Sequence, residues 1–243
     1  MEGCLVCGSP IVYFENAKES ECSICRKKYQ SNALCVEGHF VCNECHREKG
    51  FEDIKSIALS STSINPVEIA DEMMKMESVN MHGPEHHFLV AAALLSAYFN
   101  RIKYKDTDDK IQCNFNDSDD TKSVIILKAE QRASNVPGGI CGLWGSCGAA
   151  IGAGIFFSII TDSNPLTIES WSNANLLVSN ALLTISENGG PRCCKRNTYL
   201  AITSATEFIE SKMGVYLEIP ENIKCEYFER NNECKHEECK YFR

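Results

Sequence analysis

Met81–Asn100 reads MHGPEHHFLVAAALLSAYFN. Gly83-Pro84 sets a helix start, and the run Phe88 to Ala97 is apolar on every side rather than along one stripe. A helix of that kind has no face to give to water. It needs a shell of other elements, so the stretch describes a helix buried in the middle of a domain. Three histidines, His82, His86 and His87, cluster at its N-terminal end.

The flanking segments supply the shell. Upstream, SINPVEIADEMMKM carries a helix start: Asn65 as N-cap, Pro66 at the first helical position, Glu68 closing a capping box, Ile64 and Ile69 as a hydrophobic staple. Downstream, LTIESWSNANLLVSNALLTISEN is helical by period and Gly189 fits its stop. Pro191 opens a further helix that runs to Gly214. The expected fold class is mainly α: a bundle-like helical domain with a small N-terminal two-zinc module and a short cysteine-containing tail. The expected boundaries are 1–50 for the zinc module, 51–63 for a linker, 64–220 for the helical domain and 221–243 for the tail.

With 243 residues and 44% apolar content, the chain can build one substantial core and a small appendage. The formal net charge of −9 argues against nucleic acid as a partner, which would require a basic face. Asp106 to Asp120 holds six aspartates and one lysine, but lacks the central Gly and the terminal Glu of a calcium loop. It reads as a solvated loop, with Cys113 a small side chain within it. Ala133 to Thr161 is uncharged, yet its glycines, proline and polar residues dilute it. Its solidly apolar part, Ala149 to Ile160, is about half the length that a bilayer requires, so no membrane association is expected.

Fifteen cysteines dominate the composition. The N-terminal MEGCLVCGSP has no basic region followed by an apolar one, so a cytoplasmic chain with metal-binding or catalytic thiols is expected rather than a disulfide framework. Four ligand pairs lie between residues 4 and 45: Cys4/Cys7, Cys22/Cys25, Cys35/His39 and Cys42/Cys45. Cysteines spaced C-x2-C bend round one tetrahedral zinc, and eight ligands make two sites. So short a polar segment would draw its folding energy from the metal. Interleaved pairing puts Cys4, Cys7, Cys35 and His39 on one zinc and Cys22, Cys25, Cys42 and Cys45 on the other. Sequential ribbons are the competing arrangement.

The centre of the chain carries two glycine-bounded cysteine motifs, GGICGLWGSCGAAIGAGIFF (Gly138–Phe157) and NGGPRCCKR (Asn188–Arg196). No Gly-Lys-Ser/Thr follows the glycines, so this is no phosphate loop. Each motif reads as a turn feeding a helix, placing Cys141 in the loop, Cys147 at a helix start, and Cys193 and Cys194 in a first helical turn. Gly148 and Gly152 allow a second helix to approach closely. A helix N-terminus and the adjacent Lys195 and Arg196 are expected to lower the thiol pKa. The same dipole keeps His82 and His86 neutral, fit to ligate metal or to donate to an oxyanion; these two, rather than His87, are expected in the cavity of the central cysteines. In the tail, Cys225-x8-Cys234-x4-Cys239 brackets His236. These residues could close a zinc site, or the three cysteines could hold an iron–sulfur cluster with one position open.

Three resemblances follow from these residues. CSIC through CNEC resembles six consecutive ligands of a RING-type cross-brace, with the family's last pair absent and Cys4/Cys7 standing in front instead. CGLWGSCGAAIGAG with the later GGPRCC resembles the redox-active C-GCAxxG-C-C proteins, apart from a serine before Cys147 where glycine is expected. Over nearly the whole chain, HGPEHH, GGxCGxxGxCGAAxG, GGPRCCKR and the cysteine tail are similar to an uncharacterised domain family of anaerobic microbes. The C-GCAxxG-C-C likeness implies a redox or metal centre at Cys141, Cys147, Cys193 and Cys194. The expected function is that of a redox or sulfur-handling protein with a thiolate-bound metal centre, iron–sulfur or other. The alternative is a non-catalytic zinc adaptor that docks protein partners through its N-terminal module.

Overall fold

The computed structural model describes residues 4–103 and 119–242. It begins with an antiparallel hairpin of β1 (Ile11–Glu21) and β2 (Lys28–Cys35), whose pairing is irregular between Tyr13 and Lys18. Among the described residues eight α-helices follow: α1 (Asn43–Ser60), α2 (Pro66–Met74), α3 (Glu85–Lys103), α4 (Asp119–Ser134), α5 (Ile140–Leu143), α6 (Gly148–Ile160), α7 (Glu169–Glu187) and α8 (Cys194–Met213). The protein is mainly helical. Cys113 and the acidic stretch lie outside the described residues, except that 119 and 120 open α4.

The helix that opened the sequence reading is the axis of the body. Every residue of α3 from Glu85 to Asn100 is buried, and it packs against α1, α2, α4, α6 and α8. The small residues of α6 let it come close. A Cβ on Gly148 would strike the ring of His87, and one on Gly152 would stand 2.6 Å from the His87 carbonyl oxygen. The close approach that these glycines permit is therefore to α3. α7 lies over α6 and α8 and buries only Leu177 and Ala181. Among the described residues no helix is long and apolar enough to cross a membrane.

The start of α2 is built as its sequence suggests, with one change. The Asn65 side chain accepts from the N–H groups of Val67 and Glu68. Glu68 does not reach back to Asn65 itself; it accepts from the Ser63 hydroxyl, whose oxygen takes the Asn65 N–H. Residues 51–60, read as linker, are the second half of α1. They bury Phe51, Ile54, Ile57 and Ala58 against the body. One helix thus starts among the N-terminal cysteines and ends in the core.

The tail folds back over the start of α8. Cys225 donates its N–H to the Tyr241 carbonyl, and the Tyr241 ring meets Tyr199 of α8 edge-on. Lys235 donates to the Asn188 carbonyl, and His82 Nε2 lies 3.2 Å from Asn231 Oδ1.

Candidate functional site

Two sets of ligand atoms come together at the N-terminus. In each of Cys4/Cys7/Cys35/His39 and Cys22/Cys25/Cys42/Cys45, all four atoms lie within 4.8 Å of one another. Each set could hold a metal ion. A tetrahedral ion with thiolates at about 2.3 Å sets its ligands roughly 3.8 Å apart. Cys25 and Cys42 stand at 3.8 Å, Cys7 and Cys35 at 3.5 Å, and His39 Nδ1 is 3.2 Å from Cys7.

The interleaved pairing follows from the hairpin. β1 has 11 residues, so Cys22/Cys25 at its end are carried on the order of 30 Å along an extended chain from Cys4/Cys7. Cys42 is the N-cap of α1 and Cys45 lies in its first turn, so that helix presents both to the β1–β2 turn. Backbone N–H groups point at the sulfurs: Val6 to Cys4, Glu37 to Cys35, Cys42 to Cys22. Without metal the thiols divide the protons unevenly. Hydrogen bonds from Ser9 bring Cys7 down to about 6, while burial pushes Cys45 up to about 12. A bound metal removes that division, because thiolate is the ligand form of every one of them.

The four central cysteines do not converge on one point. Cys141 and Cys147 line an open cleft of about 530 Å³ between the α5–α6 turn, α7 and the start of α8, with Arg192 and Arg196 on its wall. The side-chain amide of Asn197 donates to Cys147 Sγ at 3.3 Å. Cys194 is the first residue of α8; the Gly83 backbone and Arg192 act to lower its thiol pKa, and the neighbouring Cys147 to raise it. Cys193 turns the other way, into a second pocket beneath the tail. Cys193 is the N-cap with extended backbone (φ −142°, ψ 110°) and Cys194 is the first helical residue, so the two side chains leave the chain in different directions.

The expected lowering of both thiols is reversed. Burial pushes Cys193 up, and Cys194 up to about 11. Here desolvation outweighs the helix terminus and the neighbouring cations. Lys195, fully buried, does not lie beside the thiols as a free charge; its ammonium donates to the carbonyls of Met74 and Val79.

The histidines separate as well. His86 is buried, with Nδ1 on the Gly83 carbonyl and Nε2 without a hydrogen bond. Burial first and Lys195 second hold it well below the ordinary range, so it is neutral. His82 faces the tail at Asn231 and Glu233. The ring that touches the Cys147–Gly148 turn is that of His87. Its signal in the sequence was its spacing: His87, Val90 and Ala91 share a face of α3 with the glycines of α6 opposite.

Tail residues Cys225, Cys234 and Cys239 line the pocket with Cys193. His236, read as a companion ligand, is exposed and stacks edge-on against Phe242. In comparison with known proteins, the model of a family of unknown function (DUF5714) matches residues 54–242. No curated protein and no solved structure matches the chain.

Proposed function

The chain belongs to this family of unknown function, and from its own residues we propose that it is a redox or sulfur-handling protein. Its N-terminal module holds two zinc ions as a structural unit. Its helical body reacts through the cysteines of the open cleft. The observation that carries this reading is the placing of Cys141 and Cys147 in a cleft walled by Arg192 and Arg196. A purely structural thiol has no need of an accessible cavity or of cations beside it. The exposed Arg192 guanidinium favours a substrate that is anionic, and the thiols one that carries sulfur.

The zinc assignment rests on the donor sets, Cys3His and Cys4, which suit zinc in structural sites, and on sulfur spacings that suit one tetrahedral ion. Closed four-ligand sites leave no position for substrate, so chemistry belongs in the body.

Thiol–disulfide exchange with small charged reagents tests the cleft. An anionic disulfide should react with the native chain several-fold faster than a cationic one, and Arg192→Glu should abolish that preference. Equal rates for both reagents, or full reactivity in a Cys141→Ser/Cys147→Ser double variant, would contradict the reading.

A second reading has an observation of its own. Val6, Tyr13, Ile24 and Val36 on the zinc module are exposed apolar side chains, which suit a docking face for a protein partner. In that case Ile24→Asp should abolish function in the host cell while the Cys141→Ser/Cys147→Ser variant retains it.

A further inference from the structure

We propose that Cys193, Cys225, Cys234 and Cys239 form a four-cysteine site for a [4Fe–4S] cluster, closed over the start of α8 by the tail. Cys193 comes from the GGPRCC turn and the other three from the last twenty residues; all four line one pocket. The proposal goes beyond the cleft reading and stands without it.

Four observations carry it. First, the sulfurs share a space. All four line the same pocket between the tail and the start of α8, and the Cys225 N–H on the Tyr241 carbonyl ties the two ends of the tail together there.

Second, the backbone is already shaped for ligation. Cys225 accepts the N–H of Tyr227 at 3.3 Å and Cys234 that of His236 at 3.4 Å. The same hydrogen bond, from the residue two positions on, occurs at Cys4 and Cys35 of the N-terminal metal set, at 3.4 and 3.3 Å. Cys193 accepts the N–H of Arg196 as the N-cap of α8. N–H groups aimed at sulfur stabilise the thiolate and tune any cluster it binds.

Third, the surroundings suit an anion shielded from water. Arg196 is 4% exposed, and its guanidinium hydrogen-bonds to neutral oxygens of Gly189, Pro191 and Asn197. Four thiolates around a cluster core of charge +2 leave −2, of which this cation offsets one unit; Lys235 and Glu233, which also line the pocket, cancel each other. Met81, Tyr227, Phe228, Tyr241 and Phe242 form an apolar wall.

Fourth, the span of the site selects the occupant. Among the described residues only the two N-terminal sets bring their ligand atoms within 4.8 Å of one another. The tail set lines one pocket yet is wider than the shell of a single tetrahedral ion. A polynuclear cluster with one thiolate on each iron fills such a site. Binding releases the four thiol protons and forms four Fe–S(Cys) bonds, with no change in oxidation state.

The test is anaerobic reconstitution of the full chain with equal amounts of ferrous and ferric iron and with sulfide, which together give the +2 core without a further oxidant, followed by iron, sulfide and zinc analysis and by electron paramagnetic resonance after reduction. The native chain should retain about four iron and about four sulfide, with the resonance of a reduced cubane. Cys193→Ser and Cys239→Ser should each lose more than half of the iron and sulfide. Cys194→Ser and Cys147→Ser should keep them. Serine caps a helix well, so Cys193→Ser isolates the ligand role, and unchanged zinc and helical circular dichroism confirm its fold. Cys239 lies outside any helix, so its variant decides if the first fails to fold. Metal bound without sulfide would overturn the proposal, as would a cluster that survives loss of Cys193 and Cys239. Cluster loss in the Cys147 variant alone would move the centre to the cleft.

Discussion

Asn197 donates its side-chain amide to the sulfur of Cys147 at 3.3 Å, and this contact joins the two glycine-bounded cysteine motifs. Asn197 is one turn into α8 and Cys147 is the N-cap of α6. The starts of two helices thereby meet at one edge of the cleft. Asn197→Asp should replace a donor with a carboxylate beside the sulfur and disfavour the thiolate. Alkylation of Cys147, followed by mass spectrometry at pH 7, should slow several-fold. An unchanged or faster rate would mean that the amide does not act on the thiol.

Metal pairing is decided by one double variant. Under the interleaved arrangement, Cys22→Ser/Cys42→Ser damages a single site and leaves about one zinc on Cys4, Cys7, Cys35 and His39. Under sequential ribbons the same two changes damage both sites and leave none. Zinc analysis of the purified variant distinguishes them, and one retained equivalent is expected.

The α3–α6 contact predicts a cost for a substitution that helix propensity alone would favour. Gly152→Ala gains up to about 1 kcal/mol in propensity. Its Cβ, however, would lie 2.6 Å from a backbone oxygen that cannot rotate away. Overpacking of that kind costs about 1–3 kcal/mol or more, so a net loss of roughly 1–2 kcal/mol and a Tm lower by a few degrees are expected. Gly142→Ala, where a Cβ meets nothing within 4 Å, should be neutral. A Gly152→Ala chain as stable as the native one would contradict the packing.

The buried imidazoles give a pH dependence of known sign. Burial holds His86 and His87 below the ordinary histidine value, so in the unfolded chain they take up protons first as pH falls. Stability is therefore full above about 6.5 and declines as pH drops below it, by up to about 1.4 kcal/mol per unit for each group. The urea midpoint should fall between pH 7.5 and 5.5, and His86→Asn should fall less. An identical slope in that variant would remove His86 from the account.

How far the sequence reaches can be read from particular residues. The burial of α3, the start of α2 and the eight N-terminal ligands were legible because each is a local pattern: an all-apolar run, an Asn-Pro cap, ligand pairs at fixed spacing. The β1–β2 hairpin was not. IVYFENAKESE has no sustained alternation of apolar and polar residues, and most of β1 is exposed, so no buried face marks it; the two ligand sets that could hold metal lie at its ends. The helix α1 was hidden because it begins among metal ligands and carries Gly50 at its middle. Gly50 is there to let Glu85 pack, since a Cβ would stand 2.8 Å from its Cγ. That Cys193 and Cys194 cannot share one point was legible, because adjacent residues of a regular helix diverge; that Cys193 is the extended N-cap and not a helical residue was not, because the turn before it sets that. The pairing of Cys193 with the tail was not, because it depends on how the last residues fold back.

The most direct test of the central claim, that structural metal sits in the N-terminal module and reactive sulfur in the body, is site-resolved alkylation of the native, metal-loaded chain with and without a chelator. The account predicts that Cys4, Cys7, Cys22, Cys25, Cys35, Cys42 and Cys45 stay unlabelled until metal is removed, while Cys141 and Cys147 react without chelator. Free labelling of the N-terminal set in the presence of metal, with Cys141 and Cys147 inert, would contradict it.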